Sequence, residues 1–171
     1  MRPGLLQRID LKFRQALPGL MTLGLVLLSV APLRLPDYAL VAPGLVLIAV
    51  FYWTVHRPDL LRPWHACALG LFDDILSGAS LGVNALVLTL IHWAVTSQHT
   101  FFRGKSFAVI WLSFAFLAPG AIMVTAFLSF IASRAIIDPI VVLVQILLTI
   151  GLYPPLAWLL GRAQRVFLSG V

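Results

Sequence analysis

The sequence predicts an all-α fold, a polytopic membrane bundle of six transmembrane helices, and three observations carry that expectation. Hydrophobic residues make up 61% of the 171-residue chain and charged residues 11%, with a mean hydropathy of +1.01. That leaves too little polar surface to cover a water-soluble domain. The apolar residues come in runs separated by prolines, glycines and charges, the punctuation expected between helices. The basic residues sit in small clusters between those runs, which is how membrane topology is encoded. This placement accounts for the net charge of +6 and gives no reason to invoke nucleic acid.

Residues 1–15 read as a basic amphipathic lead-in on the cytoplasmic side. Arg2, Arg8, Lys12 and Arg14 outnumber the lone Asp10, while Leu5, Leu6, Ile9 and Phe13 recur at helical spacing. Such a segment suits the surface of an anionic leaflet. Six spans follow at about 16–33, 38–56, 63–77, 81–97, 106–133 and 138–161, and 162–171 reads as a short cytoplasmic tail. The first run is as long as a membrane span, and Ser29-Val30-Ala31 is followed by Pro32, a poor cleavage site, so it reads as a retained helix and not as a signal peptide. Pro32 and Pro36 bracket a tight turn into the second span, which ends in the interfacial pair Tyr52-Trp53. The third and fourth spans are short, the third only about 20 Å at 1.5 Å per residue, and Ser77-Gly78-Ala79-Ser80 joins them. The fifth is overlong and carries Pro119-Gly120, which predicts a tilt or kink. Pro154-Pro155 should kink or end the sixth.

The charges support six spans. With both termini cytoplasmic, Arg2, Arg8, Lys12, Arg14, Arg57, Arg62, Arg103, Lys105, Arg162 and Arg165 fall inside, and only Arg34 and Arg134 fall outside. Fusing the third and fourth runs into one span would flip everything after them and leave seven inside against five outside. The positive-inside rule favours the first arrangement. It places Arg8, Lys12, Arg14, Arg57 and Arg62 at the inner membrane surface and the turn between the third and fourth spans toward the outside. The longest loop between spans, Ser97 to Lys105, has nine residues, so recognition must use the bundle, its short loops or its lateral faces.

The stretch from Gly70 to Asn84 concentrates the chemistry. It sets Asp73 and Asp74 side by side between apolar segments, where a carboxylate near a helix centre costs about 2.5–3.5 kcal/mol on insertion scales. Either the acids lie at headgroup level and cap the next helix, or they have a functional role. Asp74 can reach the N-terminus of the fourth helix, where free N–H groups and the helix dipole favour an anion. Adjacent helical residues point about 100° apart, so only one acid can face a given partner. Thr89, His92 and Thr96 fall on one face of the fourth helix, Thr125, Ser129 and Ser133 repeat along the fifth, and Gln145 and Thr149 along the sixth. These residues would either line a polar cavity or hydrogen-bond between helices. Short helix pairs meeting at membrane depth also build ligand sites in transporters, so a small-ligand-binding membrane subunit of a transporter is the alternative reading.

Catalytic patterns are missing from the sequence. It contains no HExxH, GxSxG or Walker motif, and His56, His65, His92 and His99 lack metal-ligand spacing. No cofactor or metal is expected. An enzyme would have to depend on Asp73 or His92. Cys67 is the single cysteine and reads as a small buried hydrophobe.

The pattern Gly70-Leu71…Asp74…Gly78…Gly82…Asn84-Ala85-Leu86, preceded by Pro43…Tyr52-Trp53…Arg57-Pro58, resembles the signature of the MreD family of bacterial rod shape-determining membrane proteins. By that resemblance Asp74 is the family's acid, Asp73 sits at a variable position, and Ser80 stands where members often have proline. The resemblance implies a non-enzymatic inner-membrane component of the lateral wall-elongation machinery. It would bind an MreC-like bitopic protein and, through it, MreB filaments, RodA and a transpeptidase penicillin-binding protein. The family is also similar, more distantly, to the six-helix substrate-binding subunits of energy-coupling-factor transporters.

Overall fold

The computed structural model describes residues 22–27, 44–58, 61–102, 104–134 and 138–168. The lead-in with Arg8, Lys12 and Arg14, most of the predicted first span, residues 38–43 and Arg103 lie outside the described residues. Among the described residues all regular structure is helical. A helical piece over 22–27 is followed by α1 (Leu45–His56), α2 (Pro63–Ser77), α3 (Val83–Ser97), the single turn α4 (His99–Phe102), α5 (Phe107–Ser133) and α6 (Pro139–Leu168).

The central helix is α1. Its sequence, LVLIAVFYWTVH, is apolar on every face, and every residue from Leu45 to Val55 is buried, as expected for a helix with no polar side to offer solvent. Its N-cap is Gly44. The Gly44 N–H donates to Thr149 Oγ1 of α6 at 3.0 Å, and the Thr149 hydroxyl donates to the Gln145 carbonyl at 2.7 Å. Thr149 itself is fully buried. At its middle α1 joins an aromatic cluster in which Phe51 lies 5.0 Å from Phe114 and 5.9 Å from Tyr153, ring centroid to ring centroid.

Among the described residues two helices, α5 and α6, are long and apolar enough to cross a membrane. Their outward residues are large and apolar, including Leu112, Phe116, Met123, Phe127, Leu143 and Leu147, a surface suited to lipid. By contrast α2 and α3 have 15 residues each, about 22 Å at 1.5 Å per residue. That falls short of a hydrocarbon core about 30 Å thick. They lie side by side and pair more extensively with each other than with any other element.

The prolines do not end the long helices. Pro119 lies inside α5, and Pro154 and Pro155 lie inside α6, which continues to Leu168, past the predicted boundary at 161. The expectation that the double proline could stop the sixth helix is corrected by a contact from its neighbour. Proline has no N–H to offer the carbonyl four residues back, which for Pro154 is that of Ile150. Trp111 of α5 supplies the missing donor, its indole N–H meeting the Ile150 oxygen at 3.3 Å. In surroundings without water, such repair lets a helix tolerate proline.

Replacing Trp111 with Phe keeps the ring but leaves the Ile150 carbonyl unsatisfied, so Trp111→Phe should destabilise the purified protein by about 1–3 kcal/mol. Thermal unfolding in detergent would measure the loss.

Candidate functional site: the Asp74 turn

The turn between α2 and α3 is built around one residue. Asp74 sits on the same face of α2 as Ala66 and Gly70, spaced four residues apart, and all three are buried. Small residues on that face let the two backbones approach closely. At Gly70 the approach is so tight that a Cβ would fall on Ala85 Cα and within 2.5 Å of Ala85 N. This brings the Asp74 carboxylate, itself 0% exposed, to the start of α3.

There it satisfies the helix end. Oδ2 accepts from the N–H of Gly82 at 2.8 Å and of Ala85 at 3.4 Å, and Oδ1 accepts from the N–H of Asn84 at 3.1 Å. The first N–H groups of a helix have no partner within it, and Gly82, the N-cap of α3, has no side chain to supply one. Asp74 performs that capping from the neighbouring helix, with its negative charge at the positive pole of α3. Charge-assisted bonds of this kind are the strong ones, and they offset the cost of burying the acid.

The main chain of the same residue closes the other side of the turn. The Asp74 carbonyl accepts from Gly78 N–H, where α2 ends, and from Ala79 N–H at 3.1 Å. Gly78 has φ 67° and Gly82 φ 92°, left-handed conformations that strain any residue with a Cβ. Asp73 is half-buried and points elsewhere, its Oδ2 accepting from Asn84 Nδ2 at 3.0 Å. Asn84 therefore holds both acids, Asp74 with its backbone and Asp73 with its side-chain amide. Ser77 adds a bond from its hydroxyl to the Asp73 carbonyl at 2.6 Å.

The sequence model of the rod shape-determining protein MreD matches residues 13–163, most of the chain and all of this turn. The chain belongs to the MreD family. It is a rod shape-determining membrane protein. No solved structure matches it.

In this MreD-family chain the polar residues predicted to share one face of α3 have separate settings. Thr89 donates its hydroxyl to the Ala85 carbonyl of its own helix at 2.7 Å, and Thr96 is exposed. His92 is buried, and its Nε2 lies 2.7 Å from the Leu61 carbonyl, which ties α3 to the loop before α2. Arg57 and Arg62 lie on that loop, at the opposite end of α2 from the Asp74 turn. Among the described residues no group of three His, Cys, Asp or Glu side chains is placed to hold a metal ion. Sequence reasoning missed the Leu61 partner of His92 and the capping of Gly44 by Thr149. A main-chain carbonyl in a loop leaves no mark in sequence, but a threonine in an apolar run does.

Two variants separate the roles of the acids. Asp74→Asn turns one acceptor into a donor facing the N–H groups of α3, and should lower stability by about 1.5–3 kcal/mol, the range for bonds to charged groups. Asp73→Asn keeps an amide oxygen for Asn84 and should cost well under half of that, both read as unfolding midpoints in detergent. Gly70→Ala should cost about 1–3 kcal/mol by overpacking against α3, visible as reduced folded protein in membranes.

Proposed function

We propose that the chain is a non-enzymatic inner-membrane scaffold of the cell-elongation machinery, binding an MreC-like bitopic protein and linking MreB, RodA and a transpeptidase penicillin-binding protein to it. The observation that carries this reading is that the motif's polar atoms are used internally. Both oxygens of Asp74 are engaged by backbone N–H groups, and Asn84 is engaged by both acids. A carboxylate so engaged is poorly placed to take a proton from a substrate or to ligate a metal. Its work is to hold α2 and α3 as a rigid hairpin, and the hairpin's outer surface then serves as a docking face.

The proposed topology has six spans and both termini in the cytoplasm, supported by ten of the twelve basic residues falling on one side. The Gly78–Gly82 turn then faces the periplasm, where a bitopic partner carries its folded domain. Arg57 and Arg62, with Arg8, Lys12 and Arg14, anchor the opposite leaflet. The transporter reading draws on the short helix pair, but Thr89 bonds within its own helix, His92 meets the Leu61 carbonyl and Thr96 is exposed, which favours the scaffold.

Mass spectrometry of the affinity-tagged protein, extracted gently from its native membrane, should recover a single-span protein with a periplasmic domain at fixed ratio. Asp74→Asn should lower the recovery of chain and partner together. A retained vitamin-like molecule with an ATPase subunit, and no bitopic partner, would replace the scaffold by the transporter.

A further inference from the structure

Between α3 and α5, ending against α4, runs an open groove of about 710 Å3, within the roughly 300–1,000 Å3 of clefts that hold small molecules. Its walls are apolar, formed by Leu90 and Ala94 of α3, Phe101 of α4, and Phe116 and Gly120 of α5. Phe116 is 89% exposed, and a Cβ built on Gly120 meets nothing within 4 Å, so that side of α5 is open space. One polar lining residue, Ser113, gives its hydroxyl to the Val109 carbonyl at 2.9 Å. The other, Gln98, sits just past the end of α3, where the groove reaches α4. At that same end the Lys105 ammonium lies 5.3 Å from the centroid of the Phe101 ring. The groove is therefore apolar along its length and positive at one end.

We infer that this groove holds an acyl chain of an anionic phospholipid, with the phosphate drawn to Lys105 and Gln98. The charge pattern selects the occupant, since a hydrocarbon chain needs no polar partner along Leu90, Ala94 and Phe116, while its headgroup needs a cation at one end only. An apolar partner helix would leave Lys105 without a counter-charge. The topology proposed above turns that end to the cytoplasmic leaflet, where anionic headgroups collect and basic pockets between helices bind them. Lipid binding rests on that topology but not on any protein partner, so it can fail while the scaffold reading stands.

The test is native mass spectrometry of the purified full chain in micelles containing equal phosphatidylglycerol and phosphatidylcholine with identical acyl chains. The protein should retain phosphatidylglycerol about fivefold over phosphatidylcholine, the ratio that one lysine near the membrane surface contributes. Lys105→Gln should bring that ratio to near unity while lipid is still retained. Gly120→Leu, whose side chain enters the groove, should remove most of the retained lipid without changing helicity. Equal retention of the two lipids by the parent protein would overturn the assignment, as would a preference unchanged by Lys105→Gln, which carries the test even if Gly120→Leu fails to fold. In cells, a photo-reactive group introduced at Phe116 should crosslink to lipid, and a protein adduct there in place of lipid would also overturn it.

Discussion

A helix that starts inside apolar surroundings must find acceptors for N–H groups that water would otherwise satisfy, and the Asp74 carboxylate meets that constraint for α3. The rest of the motif follows from it. The acid can reach α3 only if the two backbones nearly touch, which requires Gly70. It can serve a helix that follows it so closely in sequence only if the chain reverses at once, which requires left-handed turns at Gly78 and Gly82. Asn84 then engages the second acid, which would otherwise lack this donor at the same helix end.

The same rule operates twice more. Thr149 of α6 caps the buried start of α1 through Gly44, and Trp111 of α5 repairs the carbonyl that Pro154 abandons in α6. In each case the backbone deficit of one helix is met by a side chain from another. These contacts fix the helices in register more specifically than apolar packing can, because a methyl group fits many neighbours and an unpaired N–H tolerates few.

The helical class was legible from composition, since a chain this apolar has few other ways to satisfy its backbone. At the ends of α2, Pro63 suits a first helical turn and Gly78 a left-handed cap. Which of two adjacent acids would be buried was harder to read. The four-residue spacing of Ala66, Gly70 and Asp74 contains the answer, because small residues mark the face that meets another helix. The capping of α1 at Gly44 and the passage of α6 through two prolines were not legible, since both depend on side chains distant in sequence. Gly44 and Thr149 are 105 residues apart.

The separation of Asp74 from its donors also bears on how the protein is made. During synthesis α2 reaches the insertion machinery carrying two carboxylates, while the N–H groups that will neutralise Asp74 belong to residues as many as 11 positions later. At ordinary translation rates that gap is about a second. Until those residues are made, the acid lacks the donors that offset the cost of burying it. The two helices are therefore complete only as a pair, the acid of α2 supplying acceptors to the start of α3 and that start supplying donors to the acid.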